Sequence, residues 1–174
     1  EEARRLQFLL ESSKLTSKDK ELFAGLLEKE MDNETLVFSL RELSELLHKH
    51  YGKKVIILID EYDVPLAKAS EHGYYDQMTL LIRNLFEQTL KTNDSLYFAV
   101  LTGCLRVAKE SIFTGLNNPK VLSITTVRFD EYFGFTDSEV KDILRYYHLE
   151  EKYEQIKSWY DGYHFGNVEV YCPW

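Results

Sequence analysis

One stretch limits the fold of this chain more than any other. Val55-Ile56-Ile57-Leu58-Ile59 is a purely aliphatic run that breaks at once into two adjacent carboxylates, Asp60 and Glu61. Such a run, rich in β-branched residues and without polar alternation, reads as a strand buried on both faces, as in a parallel sheet. A second apolar run, Leu96 to Leu101, ends in Thr102-Gly103. Between them lies Asp76 to Lys91, where Leu80, Leu81, Leu85 and Leu90 recur at helical spacing, before Asn93-Asp94 breaks the pattern. Strand, helix, strand with a crossover of that length is a right-handed βαβ unit with parallel strands. The fold class is therefore α/β.

The rest of the chain surrounds this unit. Helical spacing appears over Glu2–Glu11, Lys18–Met31 and about Glu34–His50, with Gly52 as the stop of the last. Pro65 marks a turn or a short helix entry. Downstream, Val121–Ile124 reads as a third short strand. Thr136-Asp137-Ser138-Glu139 is a capping box that opens a helix through Tyr147. A further helix over Glu150–Tyr160 ends at Gly162, and Val168–Tyr171 forms a small strand. The expected organisation is a helical region over residues 1–52, an α/β core over 53–126 and a helical appendage over 127–174.

Composition narrows the function. The chain has 174 residues, 44% of them hydrophobic, enough for a genuine core. Its net charge is −8 with both signs interspersed, so no basic face for direct nucleic-acid binding is expected. Cys104 and Cys172 have no CxxC spacing, which argues against a zinc site or a disulfide framework. No apolar run approaches membrane-spanning length and no signal peptide is apparent, so the expected location is cytoplasmic, without a membrane partner. The chain opens on Glu1 and closes inside an aromatic segment, and reads as a piece of a longer protein.

The chemistry gathers at the ends of the two strands. Side chains at the carboxyl end of a parallel strand reach the crevice where α/β proteins bind ligands. There Asp60 can hold a Mg²⁺ that bridges nucleotide phosphates, and Glu61 can polarise an attacking water, the arrangement termed Walker B. The plainer alternative is a strand-end turn with solvated acids. Thr102 can hydrogen-bond the water or the terminal phosphate, Gly103 lets backbone approach a ligand, and Arg106 can set a cation on the transferring phosphoryl group. Their alternatives are a backbone-satisfied β-former and a surface salt bridge. Asp63 either orients a nearby cation or caps the next helix, the commoner role. His48 and His50, two apart on a helix, do not share a face. His164 reads as a packing residue in an aromatic turn. No GxxxxGK[ST] occurs, so the lysine and backbone cradle for phosphates are missing from this sequence.

The strings LIDEYDVPL, LTGCLRVAKESIFTGLNN, FGFTDSEVKDIL and WYDGYHFG, in that order, resemble the AAA-ATPase-like family of bacterial P-loop proteins. The likeness covers nearly all of Leu36 to Trp174. It implies a partial P-loop NTPase sheet of the ASCE/AAA-like kind, with flanking helices and a C-terminal helical lid. It makes Asp60 the Mg²⁺ ligand, Glu61 the catalytic base and Thr102 the sensor-like polar residue, with Arg106 at a position usually basic. Family members carry a Walker A of the type RPRRFGKS ahead of the segment seen here, and many continue into a PD-(D/E)XK nuclease-like domain. This chain would then supply the third, fourth and fifth strands and lack the central one, leaving an apolar gap or an altered pairing. Cys172 departs from the pattern, which has Asn before the Pro.

The resemblance implies ATP binding and hydrolysis with Mg²⁺ by the whole protein, this chain alone being inactive. The alternative is a non-hydrolytic regulatory or partner-binding module on a degenerate P-loop fold. A nuclease activity would belong to the downstream domain, because no convincing D…ExK arrangement occurs here.

Overall fold

The computed structural model describes residues 2–28, 30–104, 112–113, 116 and 119–172. These fall into two compact units, residues 1–119 and 120–174.

The first unit begins with α1 (Glu2–Arg5), a 3₁₀ turn (Gln7–Glu11) and α2 (Ser17–Gly25). The continuous helix expected over Glu2–Glu11 is thus broken at Leu6, and the one expected through Met31 stops at Gly25. Thr16 and Asp19 close a reciprocal capping box that fixes the start of α2. α3 (Asn33–Tyr51) starts where the Asp32 carboxylate accepts the Thr35 N–H at 2.7 Å. It stops at Gly52, whose left-handed φ of 67° few other residues adopt cheaply. Leu9, Leu15, Phe23, Leu26 and Leu46 form the core that joins these helices.

β1 (Val55–Ile59), α4 (Val64–Glu71), α5 (Tyr75–Phe86) and β2 (Leu96–Leu101) build the βαβ unit. The strands are parallel, in register from Ile56 opposite Phe98 to Ile59 opposite Leu101. α5 passes into a π-helical turn over Glu87–Lys91, so the single helix expected there changes its hydrogen-bond pattern midway. Leu66, Ile82, Phe86 and Ile112 are buried, with Ile59, Tyr62, Leu101 and Phe113 packed against them. The Phe86 and Phe113 rings stack with centroids 6.1 Å apart.

The expectation of a strand buried on both faces is corrected. Ile57, Ile59, Ala99 and Leu101 share the half-buried face. On the other, Ile56 (49%), Leu58 (73%), Phe98 (45%) and Val100 (46%) are exposed. An unbroken aliphatic run reports that both faces are apolar, not that both are covered.

The second unit is also corrected. Val121–Ile124 is not a strand. The Ser123 and Thr126 groups bond each other instead, Thr126 N–H to the Ser123 carbonyl at 2.8 Å and Ser123 N–H to Thr126 Oγ1 at 3.0 Å, and they turn the chain locally. The expected helices are present as α6 (Asp137–Tyr146) and α7 (Tyr153–Tyr160), the latter preceded by a 3₁₀ turn. They pack with a three-stranded antiparallel sheet, in which Val168–Tyr171 is the strand expected and the other two are additional. β3 (Phe135–Thr136) pairs with β5 (Val168–Tyr171), and β5 pairs with β4 (Tyr163–Phe165). His164 therefore lies in a strand, with its side chain exposed. Val140, Leu144 and Tyr171 form this unit's core. The Asp137 carboxylate accepts from both the Tyr153 and Tyr171 hydroxyls and pairs with Lys141 at 2.6 Å. Those bonds, the Lys141 one foremost, hold its carboxyl well below the usual carboxylate range.

Candidate functional site

The parallel pairing brings the ends of β1 and β2 side by side. Thr102 N–H donates to the Ile59 carbonyl at 2.9 Å, and the Thr102 carbonyl accepts from Tyr62 N–H at 3.0 Å. The chain from Ile59 to Tyr62 thus wraps around residue 102. The Thr102 hydroxyl donates to the Asp60 carboxylate and accepts the Glu61 N–H at 3.3 Å. Asp60, Glu61 and Thr102 are all exposed.

Glu61 adopts a left-handed backbone with φ of 52°. Outside glycine, that conformation costs about 1–2 kcal/mol because Cβ crowds the following carbonyl. It lies at the point where the chain leaves β1, directly after Asp60. Residues held in strained backbone cluster at ligand sites.

Behind the turn, Asp63 is 4% exposed. It stands at the start of α4, but its carboxylate makes no capping hydrogen bond to the helix, so the commoner role expected from sequence is not the one taken. Instead it lies against Gly103. A Cβ there would come within 2.8 Å of Asp63 Oδ1 and 2.7 Å of the Tyr62 ring. Glycine is required at 103 by packing within the protein, a reason no local sequence pattern signals. Burial, and then the neighbouring Asp63 charge, push the Tyr62 hydroxyl above its ordinary pKa.

Five of the expected site positions therefore reduce to four that are placed: Asp60, Glu61, Thr102 and Gly103 adjoin one another. Arg106 lies outside the described residues. His48 and His50 are separate, bonded through Nδ1 to Ser95 Oγ at 3.1 Å and to Ser12 Oγ at 2.7 Å respectively.

A family model described as predicted AAA-ATPase matches residues 4–113, which include both strands and the whole strand-end cluster. The chain belongs to that family. The chain is 29% identical over 133 residues to a protein of Azotobacter chroococcum mcd 1 named "Uncharacterized protein in vnfD 5'region". That alignment covers 76% of this chain and 26% of the relative, so the chain spans about a quarter of the length of the curated relative it matches. No solved structure matches. The architecture is consistent with an AAA-like domain: mixed α/β, with a small parallel sheet and helices. Among the described residues, no helix is long and apolar enough to cross a membrane.

The donors at the strand ends suit a hard divalent cation. A carboxylate and a hydroxyl are both oxygen ligands of the kind Mg²⁺ takes, and both are accessible. Among the described residues, no three His, Cys, Asp or Glu side chains gather to form a protein cage. A cation at Asp60 would take most of its ligands from phosphate oxygens and water, as Mg²⁺ in nucleotide sites does.

Proposed function

We propose that this chain carries the metal-binding and water-handling part of a P-loop ATPase. The observation that supports it most is the Thr102–Asp60–Glu61 cluster at the carboxyl ends of two parallel strands, in a chain of the AAA-ATPase-like family. Asp60 is the ligand that would hold Mg²⁺, and Mg²⁺ when bound neutralises charge on the nucleotide phosphates. Glu61, exposed and next to Asp60, positions and deprotonates the attacking water. Thr102 holds the Asp60 carboxylate in place with its one hydroxyl proton, and the remaining lone pair of its oxygen accepts from the attacking water. Arg106, outside the described residues, is the cation that the family resemblance implies for the transferring phosphoryl group. Because phosphoryl transfer asks little covalent chemistry of the protein, positioning and charge carry the rate. The phosphate cradle comes from a part of the protein beyond this sequence. Residues 127–174 act as a lid-like region whose change of conformation is the useful output of turnover.

The test is a pair of variants in the natural full-length protein. Glu61→Gln keeps the size and one acceptor oxygen, so Mg²⁺·ATP affinity is retained while single-turnover hydrolysis slows by about 10²–10⁴-fold. Asp60→Ala loses affinity for Mg²⁺·ATP itself. Hydrolysis by Glu61→Gln at the natural rate would show Glu61 to be a structural acid and overturn this reading.

A further inference from the structure

Gly103 sits where three contacts converge. Its neighbour Thr102 is gripped on both backbone groups and on its hydroxyl by residues 59–62. The Tyr62 ring and the Asp63 carboxylate occupy the space that a Cβ at residue 103 would need. Asp63 is buried there although it makes no cap to the helix it begins. Tyr62 in turn packs into the core through Phe86 and Phe113, with ring centroids at 6.4 and 5.4 Å. The contact thus runs from the hydrophobic core, through Tyr62 and Asp63, to the end of β2.

We propose that Gly103 and Asp63 are positioning residues that fix the end of β2 against the Asp60–Glu61 turn, and so set where the two carboxylates point. They touch no ligand. Their effect passes through Thr102, whose hydrogen bonds to Asp60 and Glu61 close only when residue 103 can approach Asp63 fully. A methyl at 103 must either move those side chains or lift the strand end, and lifting it opens the Thr102 bonds. The mechanical part stands on the packing alone. The catalytic part rests on the nucleotide reading above.

The experiment compares Gly103→Ala, Asp63→Ala and the double variant with the natural full-length protein, by amide hydrogen exchange and by ATP binding with and without Mg²⁺. In Gly103→Ala, the Tyr62 and Thr102 amides exchange at least about tenfold faster, while amides of α3 keep their protection. Affinity for Mg²⁺·ATP falls by about 10–100-fold, the scale of losing a group that orients a metal ligand, and affinity for metal-free ATP does not change. A general loss of folding would move both affinities together. The double variant regains part of the amide protection, because the Asp63 carboxylate no longer opposes the new methyl. Should Gly103→Ala not fold, Asp63→Ala alone decides, since it loosens the same two amides. Unchanged exchange of Tyr62 and Thr102 in the folded single variants overturns the proposal, as does equal loss of both affinities. If the natural protein binds ATP without regard to Mg²⁺, the nucleotide reading fails, and the amide rates alone decide the positioning.

Discussion

Replacing Glu61 by glycine separates what that residue does for the fold from what it does for a ligand. Its φ of 52° lies in the left-handed region, which costs about 1–2 kcal/mol for a residue with a Cβ. Glycine removes that cost and adds about 0.5–1 kcal/mol of unfolded-chain entropy. The net is a stabilisation of about 0.5–1 kcal/mol. The side chain is exposed, so little packing is lost with it. Glu61→Ala supplies the control, because it deletes the same carboxylate and keeps the Cβ, and with it the strain. The glycine variant should then melt about 2–4 °C above the alanine variant, the scale expected for about 1 kcal/mol in a chain of this size. Thermal unfolding followed by circular dichroism measures the difference, and urea titration checks that the slope of the transition is common to both. On the proposed role of Glu61, ATP hydrolysis by the full-length protein should fall equally in both variants. An alanine variant as stable as the glycine variant would refute the strain argument, since only the backbone distinguishes them.

Two other outcomes follow from the packing and the charges. Leu66 is fully buried beside Ile59 and Tyr62, so Leu66→Ala should cost about 2–5 kcal/mol in urea unfolding. Leu58→Ala, on the bare face of the sheet, should cost no more than about 0.5 kcal/mol, and the reverse order would contradict the assignment of faces. The Asp19 carboxyl is lowered to about 2, first by its hydrogen bond with Lys49 and then by Thr16. A depressed acid stabilises the fold above its unfolded pKa near 4 and loses that contribution as pH falls towards 2. Lys49→Met should therefore flatten the fall of the melting temperature between about pH 5 and pH 2, and an unchanged slope would show that the pair contributes nothing.

The parallel pair was readable because the two apolar runs, the amphipathic segment between them and the crossover length all agree on one topology. Agreement across levels is what makes a local pattern reliable. Asp60, Glu61 and Thr102 were readable for the same reason, because a strand end fixes the place of the residues that follow it. Other features carry no such signal. Nothing in Val55–Ile59 states how many neighbours will cover it, and the exposed Leu58 has the same sequence surroundings as the half-buried Ile57. Phe135–Thr136 is too short to show any period. The β4–β5 hairpin had a signal in Gly166-Asn167, a two-residue connection in which Gly166 takes φ of 53°, but Tyr163–Phe165 is too brief to stand out beside it. The contact of Asp63 with Gly103 joins residues 40 positions apart, and it exists only once the strands have met.

That last condition bears on how the molecule folds. β1 finds its partner across some 41 residues, from Val55 to Leu96, and no shorter-range pairing supports the strand among the described residues. Closing a loop of that span loses chain entropy before any ladder hydrogen bond forms, which slows the step relative to the helices around it. The bonds from Thr102 to Asp60 and Glu61 form only at that closure. The strand-end cluster is therefore among the latest parts of the protein to be assembled, and a chain trapped before closure would hold most of its helix and none of its site.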